Sequence, residues 1–260
     1  IGWNHMGDMA LANKMIAEAK NAGCTYAKFQ TWSVSRLKAG SWDDDGRRSI
    51  YEKAELSLDD HKFLIKACNN EDIAFLTSVF SIEDAKFVKS LGVNTVKIPS
   101  FEVANIELHS YCSKNFNKVF VSTGTSTWEE VKNLSSIYQD SCNLVVMHCV
   151  SAYPCEPSSI NLNKINKLKT IFPNVGFSDH TFGVEVSKMA SMLDIVAIEK
   201  HFTIDNDLPG RDNKFAILPE AMTELSNHQK LIANCFKDRG LDYQEIELDS
   251  RTNYRSRFNG

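Results

Sequence analysis

The chain has 260 residues, 43% of them hydrophobic, with 29 Lys and Arg against 33 Asp and Glu and a net charge of −4. That is enough to bury a full-sized core, as one large α/β domain or two small ones, and the acidic balance gives no reason to expect a nucleic-acid or acidic-membrane partner. Seven scattered cysteines with no Cys-x-x-Cys argue against a disulfide framework or a zinc knuckle and fit a reducing, cytoplasmic setting. No apolar run approaches the roughly 18 residues of a membrane span, and no basic-then-apolar signal segment opens the chain.

Apolar runs and amphipathic segments alternate from end to end, the pattern of a parallel sheet with crossover helices. A first strand is expected at residues 1–4. Asp8 then caps a helix with an apolar stripe of Ala12, Met15, Ile16 and Ala19, which Gly23 ends. The second strand is expected at 26–30. An irregular stretch follows at 31–56, long enough in a compact domain to suggest function or mobility, and then a helix at 58–71. The third strand spans 73–78, and Ser81-x-x-Asp84 opens a helix carrying Ala85, Val88 and Leu91 on one face. Further strands are expected at 95–98, 119–122, 144–148, 175–178 and 195–200. The helices between them lie at 105–115, after the Thr127 cap with Glu129 and Glu130 in its first turn, at 161–172 and at 183–193, and a last one at 219–240 carries Pro219 in its first turn. Eight strands and eight helices match a closed (β/α)8 TIM barrel, a single α/β domain over residues 1–245 with 246–260 as a polar tail or the start of a linker. A doubly wound sheet is the alternative, but the first βα turn, Asn4-His5-Met6-Gly7-Asp8, lacks Gly-x-Gly-x-x-Gly.

In a barrel the chemistry collects at the C-terminal ends of strands. Those ends carry Asn4 and His5; Lys28 and Gln30; Ser78; Lys97, Ser100 and Glu102; Ser122, Thr123 and Gly124; His148, Ser151 and Tyr153; Ser178 and His180; Glu199 and His201. His180 and His201 each end an apolar run, with a helix between. Parallel strands would set them side by side, with Asp179 and Glu199 nearby, either to hold a divalent metal with open positions or as hydrogen-bonded rim residues. Lys28 and Lys97 can supply positive charge to a phosphate or carboxylate. Ser122-Thr123-Gly124-Thr125 offers hydroxyls and a nest of backbone N–H groups. Glu102 can bind a sugar hydroxyl or move a proton, and Asp212 is either a turn residue or a clamp on substrate hydroxyls.

Together, Gly2-x-Asn4-His5-x-Gly7, Lys28-Phe29-Gln30-Thr31, Lys97-Ile98-x-Ser100-x-Glu102, Ser122-Thr123-Gly124, His148-Cys149-x-Ser151-x-Tyr153-Pro154, Ser178-Asp179-His180-Thr181 and Glu199-Lys200-His201-Phe202-Thr203 resemble the sialic acid synthase family, in order and at its spacings over residues 1–225. The resemblance implies a TIM barrel that condenses phosphoenolpyruvate with an N-acylated amino sugar, typically N-acetylmannosamine, to a nonulosonic acid and phosphate. It assigns His180 and His201 to a divalent metal, manganese with magnesium or cobalt as alternatives. Lys28, Lys97, Ser100, Ser122, Ser151 and Ser178 are assigned to phosphoenolpyruvate, and Gln30, Glu102, Tyr153 and Asp212 to the sugar. Ser78, at the end of the third strand, is counted with the substrate-binding residues, and Glu199 or Glu102 with the groups that direct water. Phe101, Val79 and Asn213 stand where glycine, proline and histidine are usual. The family also carries a C-terminal antifreeze-like domain through which it pairs, and Tyr254-Arg255-Ser256-Arg257 reads as the start of the linker to it, so a homodimer is a possible assembly. The alternatives are another phosphoenolpyruvate-condensing aldolase making a shorter keto sugar acid, and a non-catalytic sugar- or phosphate-binding barrel.

Overall fold

The computed structural model describes residues 1–138 and 142–258. Seven parallel strands, β1 Tyr26–Thr31, β2 Ala74–Val79, β3 Thr95–Ile98, β4 Lys118–Ser122, β5 Asn143–Cys149, β6 Val175–Asp179 and β7 Ala197–Lys200, pair in sequence order. Helices α1 Met9–Asn21, α2 Arg47–Ala54 and α3 Leu58–Asn70 flank β1 along the chain. Then α4 Ile82–Ser90, α5 Ile106–Asn115, α6 Trp128–Ile137, α7 Asn163–Lys169, α8 Glu185–Ser191 and α9 Pro219–Cys235 follow β2 to β7 in turn. Among the described residues, no helix is long and apolar enough to cross a membrane.

The sheet is strongly curled. Strands lie about 4.8 Å apart, so β1 and β3 would stand roughly 29 and 19 Å from β7 in a flat sheet. Yet Lys28 of β1 and Lys97 of β3 reach Glu199 of β7 at 3.9 and 2.5 Å. Inside the curl, Leu76, Phe120, Val145 and Met147 pack with Tyr26 as a floor. Outside it, Val119, Val121, Val146 and Phe177 pack against the helices, because successive strand residues face opposite sides.

The expected first strand is the main difference. Gly2 makes one parallel bridge to Phe29, and the chain then turns at once, with the N–H groups of Asn4, Met6 and Asp8 donating to Ile1, Trp3 and His5 carbonyls. Positive φ at Gly2 (60°) and Met6 (48°) takes these residues out of extended geometry. The helix caps follow their side chains. Asp8 accepts from the Leu11 N–H, Ser57 and Thr127 form capping boxes with Asp60 and Glu130, and α1 buries Ala12, Met15, Ile16 and Ala19. The long 31–56 segment is not structureless, since it holds α2 and two single 3-10 turns. The helix expected at 219–240 stops at Cys235, and beyond it the tail carries a turn at 245–247 and the exposed α10, Leu248–Asn253.

Candidate active site

Strand periodicity sorts the residues. Lys28, Lys97, Ser178 and Glu199 meet inside the curl. Lys97 Nζ donates to Glu199 Oε1 at 2.5 Å and Ser178 Oγ donates to the same oxygen at 2.9 Å, while Lys28 Nζ lies 3.9 Å from Oε2 and donates to Ser78 Oγ at 3.4 Å. Burial alone would push the Glu199 carboxyl up, but the Lys28 and Lys97 ammonium groups overrule it and hold it well below the usual carboxylate range. Burial lowers Lys28 in turn, against the pull of Glu199. Gln30 sits two residues beyond Lys28 on the same face, opposite Ser78 in the register.

Beside this cluster lies a hydroxyl cradle. The Gly124 N–H donates to Ser100 Oγ at 3.0 Å, Ser122 Oγ is buried with no hydrogen-bond partner, and Ser151 Oγ is buried beside the Tyr153 hydroxyl. A side-chain carbon at Gly124 would stand 2.2 Å from Ser151 Oγ and 2.9 Å from Ser100 Oγ, so the cradle exists only because the residue is glycine. The expected nest of backbone donors is not open: the Thr123 N–H is committed to the Met147 carbonyl and the Gly124 N–H to Ser100. Hydroxyls supply the free polarity here.

His180 and His201 come together at the end of the sheet, with ring centroids 5.4 Å apart and the Tyr153 ring 4.3 and 6.0 Å from them. His180 Nδ1–H donates to the Val150 carbonyl at 2.9 Å, leaving Nε2 with the lone pair. Burial would lower His180, but Cys149 and the Val150 carbonyl raise it on balance, whereas burial with His180 and Lys28 nearby keeps His201 well below its ordinary value. His201 Nδ1 lies 3.5 Å from Asp212 Oδ2, which also accepts a hydrogen bond from the Trp3 indole. Among the described residues, no three His, Cys, Asp or Glu side chains form a group that could hold a metal, so a cation here would have two imidazole ligands from the chain.

Several expectations change. Asp179 does not stand beside the imidazoles. One residue from His180 in an alternating strand, it faces the helix layer, where it pairs with Lys200 at 3.2 Å and accepts from Ser187 Oγ at 2.6 Å. His148 likewise points outward, stacking on Phe177 and donating from Nε2 to the Ile160 carbonyl. Glu102 keeps its expected place on the turn after β3, where it accepts from Asn105 Nδ2 at 2.8 Å. Trp3 and the Val150 carbonyl were not among the expected site groups. Trp3 is 209 positions from Asp212, and nothing local in sequence signals such a contact.

Residues 15–239 match the NeuB family. The chain belongs to the NeuB family. Among its NeuB relatives, the N,N'-diacetyllegionaminic acid synthase of Campylobacter jejuni is 32% identical over 91% of this chain and 76% of its own length. A Campylobacter jejuni pseudaminic acid synthase is 32% identical over 98% of this chain and 78% of its own. The crystal structure of the N-acetylneuraminic acid (sialic acid) synthetase of Leptospira borgpetersenii, with citrate, superimposes with a TM-score of 0.87 at 28% identity, covering 98% of this chain and 90% of that one. As a NeuB member the chain is an enzyme, a transferase of the synthase type.

Proposed function

We propose that this enzyme condenses phosphoenolpyruvate with the open-chain form of an N-acylated amino sugar, N-acetylmannosamine or a related hexosamine, to give a nonulosonic acid and phosphate in the cytoplasm. One arrangement supports this: two lysines with one carboxylate leave a net positive charge beside the buried hydroxyls of Ser122 and Ser151, and next to a pair of neighbouring imidazoles. An anionic enol ester fits the first part and a polarised aldehyde the second. The finer architecture that goes with it is a closed (β/α)8 barrel. A cavity of about 540 Å³ runs from Leu76, Phe120 and Met147 of the floor to the neighbourhood of β1 and β7, where Gly2, Ala27, Ala197 and Phe202 line it.

A divalent cation of the manganese type fits His180 and His201, because Nδ1 of His180 is engaged by the Val150 carbonyl and Nδ1 of His201 lies beside the Asp212 carboxylate, which leaves Nε2 as the nitrogen each ring can offer a cation. When bound, such a cation supplies Lewis acidity toward a carbonyl oxygen. Lys28 and Lys97 bind the phosphate, and the Ser100, Ser122 and Ser151 hydroxyls donate to it. These bonds strengthen as phosphate leaves by carbon–oxygen cleavage and its charge grows. Glu199 stays ionised at neutral pH. A carboxylate held so low is a weak base, suited to orienting the lysines and a water at carbon 2 rather than removing its proton. Gln30, Glu102 and Tyr153 face the sugar.

The test is incubation with phosphoenolpyruvate, Mn²⁺ and a panel of N-acylated hexosamines, following inorganic phosphate and product mass. A nine-carbon keto acid is expected with at least one sugar. Phosphate release only with arabinose 5-phosphate or erythrose 4-phosphate, or with no acceptor at all, would overturn the proposal.

A further inference from the structure

Asp212 Oδ2 is approached from two sides. On one, the Trp3 indole N–H donates to it; on the other, His201 Nδ1 lies 3.5 Å away. Asp212 sits on a 3-10 turn, Asp212–Lys214, whose next residue is also tied to the start of the chain, Asn213 Nδ2 donating to the Asn4 carbonyl at 3.1 Å. Asn4 Nδ2 in turn donates to the carbonyl of Phe202, the residue after His201. Trp3 itself is fixed by rings. Tyr51 of α2 stacks on it at 5.2 Å, and Trp32 meets it edge-on at 6.0 Å, with Phe80 behind Trp32.

We infer that Trp3 is a positioning residue for His201. Its N–H pins the Asp212 carboxylate against the Nδ1 edge of the imidazole, which selects the Nδ1–H tautomer and keeps Nε2 directed into the site. A ligating histidine gains its orientation and basicity from such a carboxylate. In this chain the carboxylate is in turn oriented by an indole, and the aromatic wall of Tyr51 and Trp32, backed by Phe80, makes that orientation depend on the 31–56 segment. The inference rests on the proposed function for what His201 holds, but not for the tautomer itself.

Trp32 supplies the control. It belongs to the same aromatic cluster, but its indole N–H is buried without a partner. Trp3→Phe and Trp32→Phe therefore both trim one indole from the wall, and only the first removes a donor from Asp212. Two readouts follow. In ¹⁵N spectra of the metal-free protein, the wild type and Trp32→Phe are expected to show His201 as one Nδ1–H tautomer, and Trp3→Phe as a mixture. In titrations with Mn²⁺, Trp3→Phe is expected to bind about tenfold more weakly than the wild type, within the 10- to 100-fold range for loss of such a partner, with Trp32→Phe unchanged. An unchanged His201 tautomer in Trp3→Phe, or the same change in Trp32→Phe, would overturn the role of Trp3. A wild type that binds no Mn²⁺ while the tautomer shift is seen would sink the metal site and leave the positioning role standing.

Discussion

Gly124 shows how one residue can set the chemistry of the pocket. Its backbone does not need a positive φ, so the glycine is required by space alone: any side chain would occupy the volume between the Ser100 and Ser151 hydroxyls. The two nearest atoms, Ser151 Oγ and Ser100 Oγ, end short, rotatable side chains, and Ser151 Cβ at 3.2 Å needs to give by only a few tenths of an ångström, so Gly124→Ala can be accommodated by turning the Ser151 hydroxyl away, at little cost in stability. The Ser151 hydroxyl would no longer be aimed at a phosphate, and a hydrogen bond to a charged group contributes about 1.5–3 kcal/mol. The expected outcome is a KM for phosphoenolpyruvate raised by about 10- to 100-fold with a melting temperature within a few degrees of the wild type. A normal KM would show that this hydroxyl does not face the anion. In the sequence, the Ser122-Thr123-Gly124-Thr125 run is legible as a polar turn. Which of its groups stay free is decided by Met147 and Ser100, on other elements, and cannot be seen locally.

At the level of elements, the caps and apolar stripes are readable because their partners lie within four residues: Asp8 with Leu11, Thr127 with Glu130, and the α1 stripe from Ala12 to Ala19. The first strand misleads because an apolar run next to a glycine has the composition of a strand, whereas the turn hydrogen bonds after Gly2 depend on where β1 places Lys28 and Phe29. The ends of β6 and β7 are a mixed case. Alternation alone separates Ser178 and His180 from Asp179, and Glu199 and His201 from Lys200, but only the register, Ser178 beside Glu199 and Asp179 beside Lys200, shows that each set is self-complementary. The outer pair is fully inside the protein: Lys200 Nζ meets Asp179 and also donates to the Thr181 carbonyl at 2.6 Å, so it grips the chain on both sides of His180. Lys200→Met would leave the Asp179 carboxylate buried with one partner fewer, a loss that costs about 3–5 kcal/mol in comparable sites. Urea unfolding should show that drop, and Mn²⁺ binding at His180 should weaken with it. A change below 1 kcal/mol would mean that the pair is not what holds these two strand ends together.

On the scale of the whole molecule, the layers are closed over neutral histidines, and this sets an acid limit. His109 of α5 is fully buried against α6. Its Nδ1 is 2.9 Å from the Tyr138 hydroxyl, and the Glu102 and Val103 backbone carbonyls also face the ring. Burial lowers its pKa from 6.5 to about 4, and His5, buried at the opposite side of the chain's path beside Phe29, is lowered to about 4 as well. A histidine that titrates near 6.5 when unfolded and near 4 when folded binds more protons in the unfolded state anywhere between those values. Stability is therefore fully present above pH 6.5 and falls as pH drops toward 4, by about 3 kcal/mol for each ring. Two such rings, about 6 kcal/mol together by pH 4, reach the lower end of the total stability of a typical domain, about 5–15 kcal/mol, so unfolding is expected as the pH approaches 4. His109→Gln keeps an amide that can bond to Tyr138 but cannot take up a proton. It should reduce the slope of unfolding free energy against pH between 6.5 and 4 by roughly one proton's worth, about 1.4 kcal/mol per pH unit at its steepest, while lowering stability at pH 8 only modestly. If the variant and the wild type lose stability in parallel through that window, His109 is protonated in the folded state, and the acid limit lies elsewhere in the molecule.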